Sequence, residues 1–232
     1  MTCDLCWSQD SSVQDAGAFR LVRDPGHWGS SDPRILVLGI SKGNTQSRVF
    51  GRELFDTVAF KGLRDRVLTL FQGVGLLQGE SLVALEKRFT ADEPDFAFAS
   101  VVRCSLTGWN PTKRAHTAES PKVLPAFRNG SEGHRFVRAC VDKHLGRLPE
   151  RTRLVLLLGN TDAYVSAMAA NIAVARGEAN FINPVAYRSQ GVTFVHLAHP
   201  SRGNGHFGAF LRGEGKAGGK RDYAVQALGL QQ

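Results

Sequence analysis

The chain reads as an α/β protein whose core is a parallel sheet with helices on both faces. Two observations carry this. Four short runs are apolar throughout, as strands buried on both sides must be. Segments with helical period lie between them, and strand–helix alternation implies parallel pairing.

The four runs are residues 34–39, 96–102, 153–159 and 192–198, each followed by glycine, proline or polar residues. Between them, residues 63–71 put Leu63, Val67, Leu70 and Phe71 on one helical face, and 136–148 and 161–175 share that period. Residues 107–135 mix Pro, Gly and polar residues with weak periodicity and read as an insertion, a loop or mobile lobe. Residues 212–221 read as a flexible basic stretch, and a short last helix is expected over 222–230. The 232 residues suffice for one domain over 1–232 with a proper core.

Apolar residues make up 42% and charged residues 22%, which excludes global disorder. The formal charge of +8 favours a polyanionic partner, nucleic acid first. No apolar run approaches the ~20 residues a membrane helix needs. The first residues have no basic start leading into an apolar stretch, so they do not read as a secretory signal. A cytoplasmic monomer without membrane contact is therefore expected.

In parallel sheets, chemistry sits at the carboxyl ends of strands. Two segments stand there: 39–44 after the first strand and 199–206 after the last. The four cysteines add a second theme. Cys3 and Cys6 form C-x-x-C, Cys104 closes the second strand, and Cys140 opens a helix. In a reducing compartment such thiols are metal ligands or small buried side chains before they are disulfides. Four thiolates suit zinc or a [4Fe–4S] cluster.

In order, Cys3-Asp4-Leu5-Cys6, Leu38-Gly39-Ile40-Ser41-Lys42-Gly43, Ala59-Phe60-Lys61-Gly62, Ser100-Val101-Val102-Arg103-Cys104, Ala139-Cys140-Val141-Asp142-Lys143, Leu157-Leu158-Gly159 and Ala198-His199-Pro200-Ser201 span nearly the whole chain. Together they resemble the iron–sulfur uracil-DNA glycosylases of the family-four and family-five type. The resemblance implies a three-layer α/β/α sandwich around a central, mostly parallel four-stranded sheet. It also implies a structural [4Fe–4S] cluster on Cys3, Cys6, Cys104 and Cys140, with zinc as the alternative. A base flipped out of single- or double-stranded DNA would enter a pocket at the strand ends.

The same resemblance distributes roles. His199 would stabilise charge on the departing base. Phe60 would stack on the base, and Gly39, Ile40, Gly43 and Ser100 would line its pocket. Ser201, Arg202, Asn204 and His206 would follow the DNA backbone. Two positions depart from the family. Ile40 replaces the acidic residue of the first loop, leaving Ser41 or Asn44 as polar groups in reach, with Glu53, Asp56 or Asp65 as replacements. Ser100 replaces the asparagine that reads uracil, and a single hydroxyl cannot make a two-point amide contact. The expected substrate is thus a damaged or modified base and not plain uracil, with non-catalytic nucleic-acid binding as the alternative. Lys42, Lys61, Arg64, Arg103, Lys113, Arg114, Arg202 and Arg212 are candidate phosphate contacts.

A rival reading takes Gly39-Ile40-Ser41-Lys42-Gly43 as the G-x-S-x-G elbow of a serine hydrolase, completed by Asp162 and His199. It ranks lower, because the elbow follows only one strand and the cysteines stay unexplained.

Overall fold

The structure, a computed structural model, describes Cys3, Cys6 and residues 12–229. The chain opens with β1 (Val13–Ala16), β2 (Phe19–Val22), β3 (His27–Gly29) and β4 (Ile35–Gly39). Four helices follow: α1 (Asn44–Val49), α2 (Phe55–Val58), α3 (Arg64–Gly73) and α4 (Leu82–Lys87). Then come β5 (Phe96–Ser100), β6 (Ser105–Asn110), β7 (Ala115–Thr117), α5 (Ser120–Val123), a 3-10 turn (Leu124–Phe127) and α6 (His134–Leu145). The remainder is β8 (Leu154–Leu158), α7 (Asp162–Arg176), β9 (Asn180–Asn183), β10 (Ala186–Ser189), β11 (Val192–Leu197), α8 (Phe207–Arg212) and α9 (Gly215–Leu228). No helix among the described residues is long and apolar enough to cross a membrane.

The expected sheet of four mostly parallel strands is overturned. The main sheet has seven strands in the order β3-β5-β4-β8-β11-β10-β9 and is mixed. Its middle holds the four apolar runs, paired in parallel, with Val37 opposite both Phe98 and Leu156. On its flanks β3, β10 and β9 add antiparallel pairings. A second sheet, β1-β2-β6-β7, is antiparallel throughout. The reason is physical. Strands buried on both faces must be apolar along their whole length and announce themselves. The added strands are three to six residues long and partly exposed, so no continuous apolar run marks them.

Side chains alternate across the main sheet. Leu36, Leu38 and Leu157 enter one core with Val137 and Val141 of α6 and Met168 and Ile172 of α7. Val37, Phe98 and Leu156 enter the other with Leu70 and Phe71 of α3 and Phe210 of α8. Each fully buried Leu or Phe stabilises by roughly 1.5–3 kcal/mol, so the sheet is held from both faces.

Residues 107–135 are ordered, in contrast to the expected loop. Here β6 pairs with β2 and turns back into β7. Gly108 lets α5 close onto β6, since a Cβ there would lie 2.1 Å from the Lys122 carbonyl oxygen. The expected flexible stretch over 212–221 largely belongs to α9, which begins seven residues earlier than the helix expected over 222–230.

Candidate functional site

A cavity of about 920 Å³ opens at the carboxyl ends of β4, β5, β8 and β11. The loop after β4 supplies Gly39, Ile40, Ser41 and Gly43, and Ser100 ends β5. Gly159 to Asp162 follow β8, and Ala198 and His199 follow β11. Phe60 adds an aromatic wall, and Ser201, Asn204 and His206 edge the mouth. Three loops far apart in sequence therefore meet at one rim. Arg202 is exposed and outside the lining, and the side chain of Asn44 lies outside the described residues.

Gly39 leaves room between Ser100 and Phe60. A Cβ on Gly39 would lie 3.4 Å from Ser100 Oγ and 4.0 Å from Phe60 Cε1. The Phe60 ring is buried, backed edge-on by Phe98 at 6.2 Å and by Phe89 at 6.3 Å. Its backbone has φ of +50°, a strained conformation that over-determined packing sustains and that clusters at binding sites.

His199 is held by its own turn. Its Nδ1 accepts the Ser201 backbone N–H at 3.1 Å. Burial lowers its pKa to about 4, so the ring is neutral near pH 7. A neutral imidazole with Nδ1 accepting carries its proton on Nε2. Among the described residues nothing takes that Nε2–H. The site thus offers a neutral hydrogen-bond donor suited to charge developing on a bound group. Asn204 donates from Nδ2 to the His199 carbonyl oxygen at 2.9 Å and accepts the His206 N–H at 3.1 Å. Its amide braces the loop and is not free for DNA.

Arg66 on α3 is a residue that sequence reasoning missed. Its Nε donates to the Pro200 carbonyl oxygen at 2.6 Å and its Nη2 to that of Ser201 at 3.3 Å. Its guanidinium lies 4.0 Å from the centre of the Phe207 ring. The loop behind His199 is thereby clamped between α3 and α8. No motif marks such an arginine, because its partners are backbone atoms 134 and 135 residues away.

Ser41 takes a structural part. Its Oγ accepts the Leu106 N–H at 2.7 Å and points its proton at the Cys104 and Leu106 carbonyl oxygens, 3.2 and 3.3 Å away. The oxygen is tied to the start of β6. Asp162 accepts from Lys220 at 2.6 Å. No hydrogen bond joins Ser41, His199 and Asp162 among the described residues, so the hydrolase relay is not assembled. Ile40 is buried in an apolar cluster with Tyr164. Glu53 pairs with Lys61, and neither Glu53, Asp56 nor Asp65 lines the cavity. Among the described residues, the carboxylates that do line it are Glu119 and Asp162.

Several candidate phosphate contacts are otherwise engaged. Lys42 is buried and paired with Asp24 at 3.1 Å, and Asp24 also accepts the N–H and hydroxyl of Ser105 at 2.7 and 2.6 Å. Arg103 is buried too. Arg64 donates to the carbonyl oxygens of Asp56 and Ala59. Lys61, Lys113 and Arg212 pair with Glu53, Glu119 and Glu214.

None of the four cysteines lines the cavity. Cys104 lies in the turn between β5 and β6, and Cys140 sits in the middle of α6 and not at its start. Burial pushes the Cys104 thiol up to about 11 and the Cys140 thiol up to about 12. The thiols also feel one another: Cys3 raises Cys6 and Cys104, while Cys6 and Cys104 raise Cys140. Cys3 Sγ lies 3.8 Å from His144 Nε2. Among the described residues no three ligands stand at metal-binding spacing.

The surroundings nevertheless suit an anionic metal–thiolate centre. Arg103 is a buried cation with no carboxylate paired to it among the described residues. Its Nη1 meets His27 Nδ1 at 3.0 Å, its Nε has no partner, and Cys140 and Cys3 stand close enough that their thiolate forms would favour its charge. A buried charge without a counter-charge is costly, and ligating thiolates would provide one.

No protein-family model matches the chain, and no curated protein matches it.

Proposed function

We propose that the chain is a DNA-binding, base-excision glycosylase-like protein, akin to the iron–sulfur uracil-DNA glycosylases. It hydrolyses the N-glycosidic bond of a flipped base that is damaged or modified and not plain uracil. The observation that carries this is the meeting of Phe60, Ser100 and His199 with a bare glycine backbone in one cavity at the strand ends. An aromatic wall, the Ser100 hydroxyl and a neutral imidazole donor suit a planar, hydrogen-bonding ring. The net charge of +8 suits a polyanionic partner.

His199 donates Nε2–H to the base as the bond electrons move onto it. Phe60 stacks on the ring, and Gly39 permits close approach. Ser100 offers one hydroxyl where discrimination of uracil calls for a two-point contact. Cys3, Cys6, Cys104 and Cys140 would hold a [4Fe–4S] cluster, or zinc in its place. When bound, that group supplies rigidity and not bond-breaking chemistry. Its mechanical link to the cavity would be Ser41, whose hydroxyl is fastened to the Cys104 and Leu106 backbone.

The second reading, non-catalytic DNA binding on the same scaffold, draws on Ile40, an apolar side chain in the cavity. One experiment separates the two. Purified protein is incubated with duplexes containing uracil, hypoxanthine, xanthine or bulky modified pyrimidines, and abasic sites are measured. Release from at least one modified base, with His199→Ala slower by roughly 100-fold or more, supports the enzyme. Binding without release from any duplex sinks it.

A further inference from the structure

We propose that Glu119, at the junction of β7 and α5, supplies the catalytic carboxylate that the loop after β4 lacks. The proposal rests on the glycosylase reading above and goes beyond it by naming the group that faces the sugar.

The cavity is lined by two carboxylates among the described residues, Glu119 and Asp162. They differ in preparation. Both are paired with a lysine, Asp162 with Lys220 at 2.6 Å and Glu119 with Lys113, but the Asp162 side chain is 85% exposed against 41% for Glu119, and among the described residues only Glu119 has further side-chain donors. Glu119 is held on several sides by the β6–β7 hairpin. Its Oε2 accepts from Asn110 Nδ2 at 2.9 Å and from Thr117 Oγ1 at 3.4 Å, and its Oε1 accepts from Lys113 Nζ. Asn110 is itself buried, its Oδ1 receiving the N–H groups of Thr112 and Lys113 at 3.0 and 3.2 Å. The carboxylate is therefore positioned before any ligand arrives. Preorganised charge costs no reorganisation at the moment of reaction.

The hydrogen bond from Lys113, followed by that from Asn110, keeps the Glu119 carboxyl below its ordinary range. It is ionised at neutral pH and is a weak base. Its part is to complement positive charge and to orient water. As the C1′–N bond breaks, its electron pair leaves with the base, which His199 Nε2–H stabilises. Positive charge grows on C1′ and the ring oxygen, and Glu119 complements it. The oxygen of one water bonds to C1′, and its proton passes along the carboxylate to solvent. The base takes a proton from solvent, so the products are a neutral base and an abasic sugar.

The test uses the full chain and single-turnover base release from the best duplex of the panel. Glu119→Gln keeps an acceptor for Asn110 and Thr117 but removes the charge. The expected result is a rate lower by roughly 100-fold or more. Duplex affinity and Tm should stay at wild-type values, and Glu119→Asp should recover part of the rate. Base release by Glu119→Gln at the wild-type rate overturns the proposal. So does a loss that tracks Tm and duplex affinity in both variants, which marks a brace only. Should the wild-type protein release no base from any duplex, the glycosylase reading falls and this role falls with it. An active wild type with an equally active Glu119→Gln overturns the role of Glu119 alone.

Discussion

His199 shows how a single side chain is tuned by its surroundings. Burial disfavours the imidazolium, and the Ser201 N–H at Nδ1 settles which nitrogen keeps the proton. His196 is treated likewise, buried beside Tyr164 with its Nδ1 2.7 Å from the Gly159 carbonyl oxygen, and its pKa is also lowered to about 4. These shifts have a consequence for stability. Both histidines hold fewer protons folded than unfolded between their folded values near 4 and the ordinary 6.5. Their contribution is complete above pH 6.5 and is lost as pH falls toward 4. Thermal unfolding across that window should show Tm dropping with acid, and His196→Gln should flatten the drop. An unchanged Tm from pH 7 to 4 would contradict the burial of both rings. At this scale the sequence was legible in setting His199 just beyond the last central strand, where it lines the cavity. It was misleading for Ser41, whose hydroxyl faces backbone where a polar catalytic group was expected.

Elements place these residues. The loop after β11 is short, but Arg66 on α3 fastens it from outside by two hydrogen bonds to carbonyl oxygens. Charged donors to backbone contribute about 1.5–3 kcal/mol each when buried, enough to hold one loop conformation. On the proposed glycosylase reading, Arg66→Ala should slow base release by about 10-fold or more while duplex affinity changes little, because a displaced His199 would leave the proposed DNA contacts in place. Steady-state and single-turnover rates measured beside binding would check this, and a rate equal to wild type would show that the clamp is dispensable. The β6–β7 hairpin and α5 do comparable service for Glu119. The weak periodicity of 107–135 concealed them, since β7 has three residues and α5 four. Such elements take their order from pairing with β2 and from packing on β6, neither of which has a local signature.

At the scale of the whole molecule, two sheets and a cysteine corner share the β5–β6 junction. Ser100 ends β5 in the cavity, Cys104 follows in the turn, and β6 begins the second sheet at Ser105. Asp24 adds a buried anchor there, binding Ser105 and Lys42 together. On the proposed reading, loss of a metal–thiolate centre would be felt in the cavity through Ser41, so that Cys140→Ala or treatment with a chelator should lower Tm and weaken duplex binding together. Metal and sulfide analysis with an absorbance spectrum would distinguish an iron–sulfur centre from zinc. Wild-type Tm after complete metal removal would mean that the corner stands without it.

What the sequence determined by itself was the middle of the main sheet, the helices α6 and α7, and the strand-end loops. All three follow from local rules: apolar runs for doubly buried strands, a 3.6-residue period for helices, and glycine with polar residues where strands end. Only the tertiary structure decided the outer strands, the second sheet, the clamp by Arg66 and the placing of Glu119 in the cavity. The clamp, the pairing of β3 with β5 and the joining of β2 to β6 depend on partners tens of residues away, whereas β1, β7, β9 and β10 pair in local hairpins; in both cases a short strand carries no mark of the partner it will meet.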